Sequence, residues 1–389
     1  MRTALALVAL LAVGAILTSG GSRADSVRHQ YVAESNELRT VNRYGTARDM
    51  SVRSLGDPRP IRARPRWLAM ARPLGADAPP WARRMYRRSL LVLHGLTEPN
   101  GAVIAGARES WDYVWPRDAG TAAIAFAAAG YRGEARRVAH FLLGLDLSAA
   151  ARFHRDGAPV DGRAAQGDAA GWVAAAARAA GLRARPTASG WEDKTDYQEG
   201  DEGDYIGNAI ASTAVNHTKD RRTTGGGKPG ARRLHELFAT PNGTLSRRAG
   251  DPGSALDSAA AWAVRPFPLL ALFPLVRRTL LRLAAESGRF GIIPSQDWDG
   301  GDDPWTAPTA WTAWSLAALA QRDRLRGSET VARRERAAAL HLMAALRRDA
   351  TPTGLLPERV DARTGVPTST TPLAWSHAFT ILALRQLWP

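Results

Sequence analysis

Residues 111–130 read WDYVWPRDAGTAAIAFAAAG, and the change of character within them decides how the chain is read. The first half carries Trp111, Asp112, Trp115 and Asp118 around a proline, which is loop composition. The second half is an alanine-rich run that predicts a helix over 119–129, stopped by Gly130. A loop rich in tryptophan and acid thus leads directly into a helix.

Outward from this stretch the same helix-and-loop rhythm continues. Residues 83–96 place apolar side chains at helical spacing and halt before Pro99-Asn100-Gly101, residues 133–145 are amphipathic, and 168–180 run from an acid to Gly181. Further helices are predicted over 255–264, 269–287, 309–325, 331–348 and 373–387. Strand-like alternation is nearly absent, so an all-α chain of antiparallel helical hairpins is expected. Residues 216–251 break the rhythm with a glycine-rich run, Gly225-Gly226-Gly227-Lys228-Pro229-Gly230. They read as a loop insertion with one short helix over 231–238. The run lacks the order of a phosphate loop.

The bulk numbers bound the function. A chain of 389 residues with 45% hydrophobic content suits one or two globular domains. Its net charge of +15 suggests a polyanionic partner. Lys194, Lys219 and Lys228 are its lysines, however, and the arginines are spread evenly with no basic run and no nucleic-acid motif. Nucleic acid is therefore not an expected partner. The absence of cysteine excludes disulfides, thiol catalysis and cysteine-based zinc sites. Arg2, an apolar run over 4–17 and small residues at 22–24 predict a signal peptide over 1–24, hence a secreted or extracytoplasmic protein with no stable membrane insertion after cleavage. Residues 25–82 are Arg- and Pro-rich and read as an irregular N-terminal arm with a short helix near 34–44. Residues 83–389 form the main helical domain.

Tryptophan is abundant, 13 residues against 7 tyrosines and 8 phenylalanines. Several tryptophans stand beside acids: Trp111-Asp112, Trp191-Glu192-Asp193, Asp297-Trp298-Asp299 and Asp303-Pro304-Trp305. Indole faces stack on sugar rings while carboxylates hold the hydroxyls. Each tryptophan alone is more simply explained by packing; the cluster favours a carbohydrate site. Cleaving a glycosidic bond requires two carboxyl groups, one to protonate the leaving oxygen and one to activate water or attack. Most glutamates in any sequence are solvated, and spacing alone does not select the pair. Rival chemistries find no support. No HExxH or His-pair zinc motif and no GxSxG elbow is present, and the acids of 297–303 lack the order of an EF-hand. No metal or cofactor is expected.

The ordered motifs resemble the glucoamylase-like enzymes of glycoside hydrolase family 15. WDYVWPRDAG (111–120) is similar to that family's glucose-holding loop, which implies substrate contacts from Trp115, Arg117 and Asp118. GRAAQGDAAGW (162–172) resembles its QxDxxG helix start. WED (191–193) is similar to its Trp-Glu-Glu or Trp-Glu-Asp, which implies Glu192 as general acid beside Trp191. DWDGGDDPW (297–305) resembles that family's loop ending in Asn-Pro-Trp or Asp-Pro-Trp, and the resemblance implies substrate contacts from Trp298 and Trp191 as well. GLLPERV (354–360) followed by PLAWSHA (372–378) resembles the C-terminal signature, which implies Glu358 as general base. The resemblance implies an (α/α)6 barrel of six helical hairpins and an inverting, exo-acting hydrolase that releases glucose from short α-1,4- or α-1,6-linked oligosaccharides. It departs from the family at Ser189, where an acid often precedes Trp-Glu, at Asp193, at Gly167, and in having no arginine within 291–301. Alternatives are a trehalase-like or glucuronyl-type hydrolase, or a non-catalytic sugar-binding protein on the same scaffold.

Overall fold

The computed structural model describes residues 65–106, 110–183, 186, 190–216, 229–351 and 354–389, with five short backbone stretches between 29 and 59. The helix expected near 34–44 is not formed where backbone is described. Strand β2 (Leu38–Val41) lies there instead, antiparallel to β1 (His29–Val32) and β3 (Ala47–Asp49). A second ribbon pairs β4 (Val52–Ser54) with β5 (Asp57–Arg59). In β2 the β-branched pair Thr40-Val41 favours extended backbone, and ladder hydrogen bonds reinforce it. The predicted signal segment, 1–24, lies outside the described residues.

Helix α1 (Pro65–Ala69) and the loop after it are built into the body, so the main domain begins earlier than residue 83. Trp67 is buried, stacks on Tyr131 with ring centroids 4.1 Å apart, and donates through Nε1 to Glu134 at 3.0 Å. Leu74 and Ala78 are buried with it.

The remaining elements are α2 (Pro80–Gly95), α3 (Pro116–Ala128), α4 (Arg132–Leu143), α5 (Ala169–Ala179), α6 (Ile206–Asn216), α7 (Pro229–Phe238), a 3-10 segment (Ser258–Ala263), α8 (Phe273–Glu286), α9 (Thr306–Leu325), α10 (Glu329–Asp349) and α11 (Ala374–Leu387). Six of them close an inner ring: α3 packs on α5, α5 on α6, α6 on the 3-10 segment, that segment on α9, α9 on α11, and α11 back on α3. This is the (α/α)6 barrel. The inner helices are covered by neighbours on both sides; α9 is buried continuously from Thr306 to Ala320. The outer helices bury one stripe. Along α10, Ala332, Glu335, Ala339, Leu342, Met343 and Leu346 recur at intervals of three and four.

Close approach within the ring depends on small residues. A Cβ on Gly171 would sit 2.3 Å from the carbonyl oxygen of Ala211, so α5 and α6 could not meet there with any larger side chain. Two elements of the ring depart from the sequence reading. Helix α6 was not expected, because IGNAIASTAVN combines glycine, asparagine and β-branched residues of poor helix propensity; burial on both sides forms it. The helix expected over 255–264 is a 3-10 turn, capped by Asp257, whose carboxylate accepts from the amide of Ala259 at 2.6 Å, and ended before Pro266. Among the described residues no helix is long and apolar enough to cross a membrane.

Candidate active site

All six inner elements start at the same end of the ring, and a cavity of about 100 Å³ opens there. The first turn of α3 contributes Arg117 and Asp118, and the residue capping it is Trp115. The start of α11 contributes Trp375, and the residue before α9 is Trp305. Helices α3, α9 and α11 open onto this space with the positive ends of their dipoles, which favours buried carboxylates here.

Arg117 is the hub of the wall. Its Nη1 donates to Gln166 Oε1 at 2.9 Å and to Asp168 Oδ2 at 3.0 Å, and its guanidinium lies 4.8 Å from the centroid of Trp375. Asp118 stands 3.6 Å away. Burial pushes the Asp118 carboxyl up to about 7, with Arg117 pulling it down and Asp168 and Glu358 adding to the rise. Arg117 Nε and Asp118 Oδ1 are buried and carry no hydrogen bond. Both residues line the cavity, and a sugar hydroxyl is the kind of group that would satisfy these atoms.

Glu358 lines the same cavity, at the loop joining α10 to α11. Burial raises its carboxyl above the ordinary glutamate range, while hydrogen bonds from Ser369 and Trp111 and the charges of Arg359 and Arg163 oppose the rise. His377 anchors the loop. Its Nε2 accepts from the amide of Leu356 at 3.0 Å, and Nδ1 meets Ser89 Oγ at 2.9 Å. Burial, with help from Arg88, depresses the imidazole to about 3, so it is neutral and serves as an acceptor at Nε2.

The structure brings Trp115, Arg117, Asp118 and Glu358 together, and it leaves Glu192 apart. The side chain of Glu192 is exposed, lies outside the cavity wall, and accepts from the neighbouring amide of Trp191 at 3.2 Å. Trp191 is half-buried against Phe238 and does not line the cavity. Trp298 sits behind the wall, edge-on to Trp305 with centroids 5.1 Å apart. The glutamate that does face the cavity with Glu358, alongside Asp118, is Glu199.

Glu199 stands at φ +58 after the segment Asp196-Tyr197-Gln198. Trp115 Nε1 donates to its Oε1 at 2.6 Å, Gln166 Nε2 approaches at 3.3 Å, and Arg163 forms an ion pair with it. The segment before it is clamped by Arg247, which reaches Asp196 at 3.1 Å, Asp257 at 3.4 Å and Asp297 at 3.1 Å. Tyr197 donates to Asp257 Oδ1 at 2.9 Å. Arg247 belongs to the stretch read as an insertion, so part of that insertion braces the wall. Sequence reasoning missed Glu199 because Gln198 stands where the resemblance requires tryptophan. The available signal was Asp196: an acid shortly before the glutamate, the feature that Ser189 fails to supply ahead of Glu192.

The inner end of the cavity is closed. Tyr197 and Trp375 line it, and both pack on the fully buried Trp311, with centroids 5.2 Å and 5.4 Å away. Among the described residues no cluster of three or more His, Cys, Asp or Glu is arranged to hold a metal ion.

The (α/α)6 barrel is a fold the chain shares with solved glycosidases and glucoamylases. It is similar to a glycosidase solved in complex with glucose (TM-score 0.61, 20% identity, 83% of this chain and 98% of the other). It is also similar to the glucoamylase from Saccharomycopsis fibuligera (TM-score 0.62, 14% identity, 81% and 96%) and to a bacterial glucoamylase complexed with acarbose (TM-score 0.59, 16% identity, 83% and 57%). At these identities the likeness establishes the fold. Comparison of the sequence with protein-family models and with curated proteins finds no match.

Proposed function

We propose that the protein is an exo-acting glycoside hydrolase that cleaves terminal α-glucosidic bonds with inversion. The observation that carries this reading is that Glu199 and Glu358, far apart in the chain, line one tryptophan-walled cavity closed at its inner end. Glu199, rather than Glu192, protonates the leaving oxygen. Glu358 takes the proton of a water that attacks the sugar carbon from the opposite face. Arg117 and Asp118 hold hydroxyls of the terminal ring, and Trp115, Trp305 and Trp375 supply the apolar walls. A closed cavity admits a chain end and stops at one residue, which favours glucose release from short oligosaccharides. Solved proteins of this fold that were obtained with glucose or acarbose support a sugar substrate.

Export through the segment at 1–24 belongs to the same proposal, since a secreted hydrolase meets oligosaccharides outside the cell. The test of the reaction is proton NMR of fresh digests of maltose and isomaltose. β-Glucose as first product supports the mechanism; α-glucose as first product, or no turnover of either sugar, overturns it.

A further inference from the structure

The opposite end of the barrel holds a second concavity, of about 420 Å³, with different chemistry. Arg72, Arg178, Arg265 and Arg385 line it with Trp314 and Gln386, and no aspartate or glutamate does. The size lies within the roughly 300–1,000 Å³ of small-ligand sites.

Helix direction explains part of this. The inner helices α3, α5 and α11 end here, and arginine beside a helix C-terminus offsets the negative end of the dipole. The magnitudes leave an excess. Each helix end carries roughly half an elementary charge, so three ends offset about one and a half charges. Four arginines line the space. None of the four forms a salt bridge with a described residue; Arg385 is held by the carbonyl of Pro73 and the hydroxyl of Tyr86, which leaves Arg72, Arg178 and Arg265 as the principal donors. Arg178 and Arg265 are exposed to solvent, so their donors are free to meet a ligand from outside. Trp314, buried at 6% exposure, gives the cavity a rigid floor.

We propose that this cavity binds a small polyvalent phosphoryl anion, a pyrophosphate group or a phosphorylated metabolite, at a site separate from the sugar cavity. Guanidinium forks match phosphoryl oxygens in pairs, and several forks around one concavity select for multiple charge over a single carboxylate. The site stands apart from the hydrolase reading, and the binding test is independent of any turnover.

The test is isothermal titration of the full chain with sodium pyrophosphate at fixed ionic strength, with sodium chloride making up the balance. Saturable binding of one pyrophosphate per chain is expected. It weakens at least tenfold in the R178Q/R265Q double variant and is unchanged in R333Q, which alters an exposed arginine on α10. Both changed side chains of the double variant face solvent, and an unaltered melting temperature verifies its fold. Should that variant not fold, R265Q alone serves, with a smaller loss expected. Inorganic phosphate and a phosphate monoester, titrated in parallel, separate a free-anion site from a metabolite site. Absence of saturable binding, or equal affinity in wild type and the arginine variants, overturns the proposal.

Discussion

The indole of Trp115 donates to Glu199 across 2.6 Å, and this contact joins the loop that opens α3 to the segment clamped by Arg247. It fixes one oxygen of the carboxylate from outside its own loop, so the direction in which Glu199 points is set by two separate parts of the fold. Replacing Trp115 by phenylalanine keeps the ring and removes the donor. A hydrogen bond to a charged group contributes about 1.5–3 kcal/mol, so kcat/KM on maltose or isomaltose should fall roughly tenfold to a hundredfold. The melting temperature should change little. Unaltered kinetics would show that the contact does not orient the acid.

Glu358 must be ionised to accept a proton, and burial raises its carboxyl while Ser369 opposes the rise. The hydroxyl donates to the carboxylate and therefore favours the charged form. In S369A this support is lost, and the carboxyl moves further up. The acidic limb of kcat/KM against pH should shift to higher pH relative to wild type. A shift downward, or none, would mean that another group governs that limb.

His377 ties Leu356 to α11 and so holds the loop carrying Glu358. Its folded-state value of about 3 lies below the ordinary imidazole value of 6.5. Between those values the unfolded chain takes a proton that the folded chain refuses. The contribution of His377 is therefore complete above about pH 6.5 and is withdrawn as pH falls towards 3. Asp118 and Asp257, both raised to about 7, act in the opposite sense, losing stability as pH rises from 3.8 to 7. They are common to wild type and variant and cancel in the difference. Urea unfolding of H377Q should show a deficit of about 1–3 kcal/mol at pH 7. That deficit should narrow towards pH 4. A deficit constant with pH would mean that His377 is not the neutral acceptor described.

Much of the fold is legible in the sequence because helical periodicity is a local signal. Helices α2 to α5 and α8 to α11 fall where apolar spacing and terminating glycines place them, within a few residues. Helix α6 is illegible for the same reason: its own residues disfavour a helix, and only the ring around it supplies the burial. The extended backbone at Leu38–Val41 depends on partners, which a single segment does not reveal. At the site, Trp115, Arg117 and Asp118 are readable because they share one short motif that also starts a helix. Glu358 is readable from the paired stretches 354–360 and 372–378. Glu192 and Glu199 stand in one irregular loop; Trp191 points to the first, Asp196 to the second, and these two local signals conflict over which carboxylate turns inward. That choice is made by Arg247, Asp257 and Trp115, which lie up to 84 residues from Glu199.

The most direct measurement is therefore a comparison of E199Q with E192Q on isomaltose and on α-glucosyl fluoride. A general acid contributes about 10²- to 10⁴-fold, and fluoride departs without needing its proton. E199Q should lose two or more orders of magnitude in kcat on isomaltose and far less on the fluoride, while E192Q stays within about twofold of wild type on both. An inactive E192Q beside an active E199Q would contradict the assignment of the acid, and full activity in both would contradict the site.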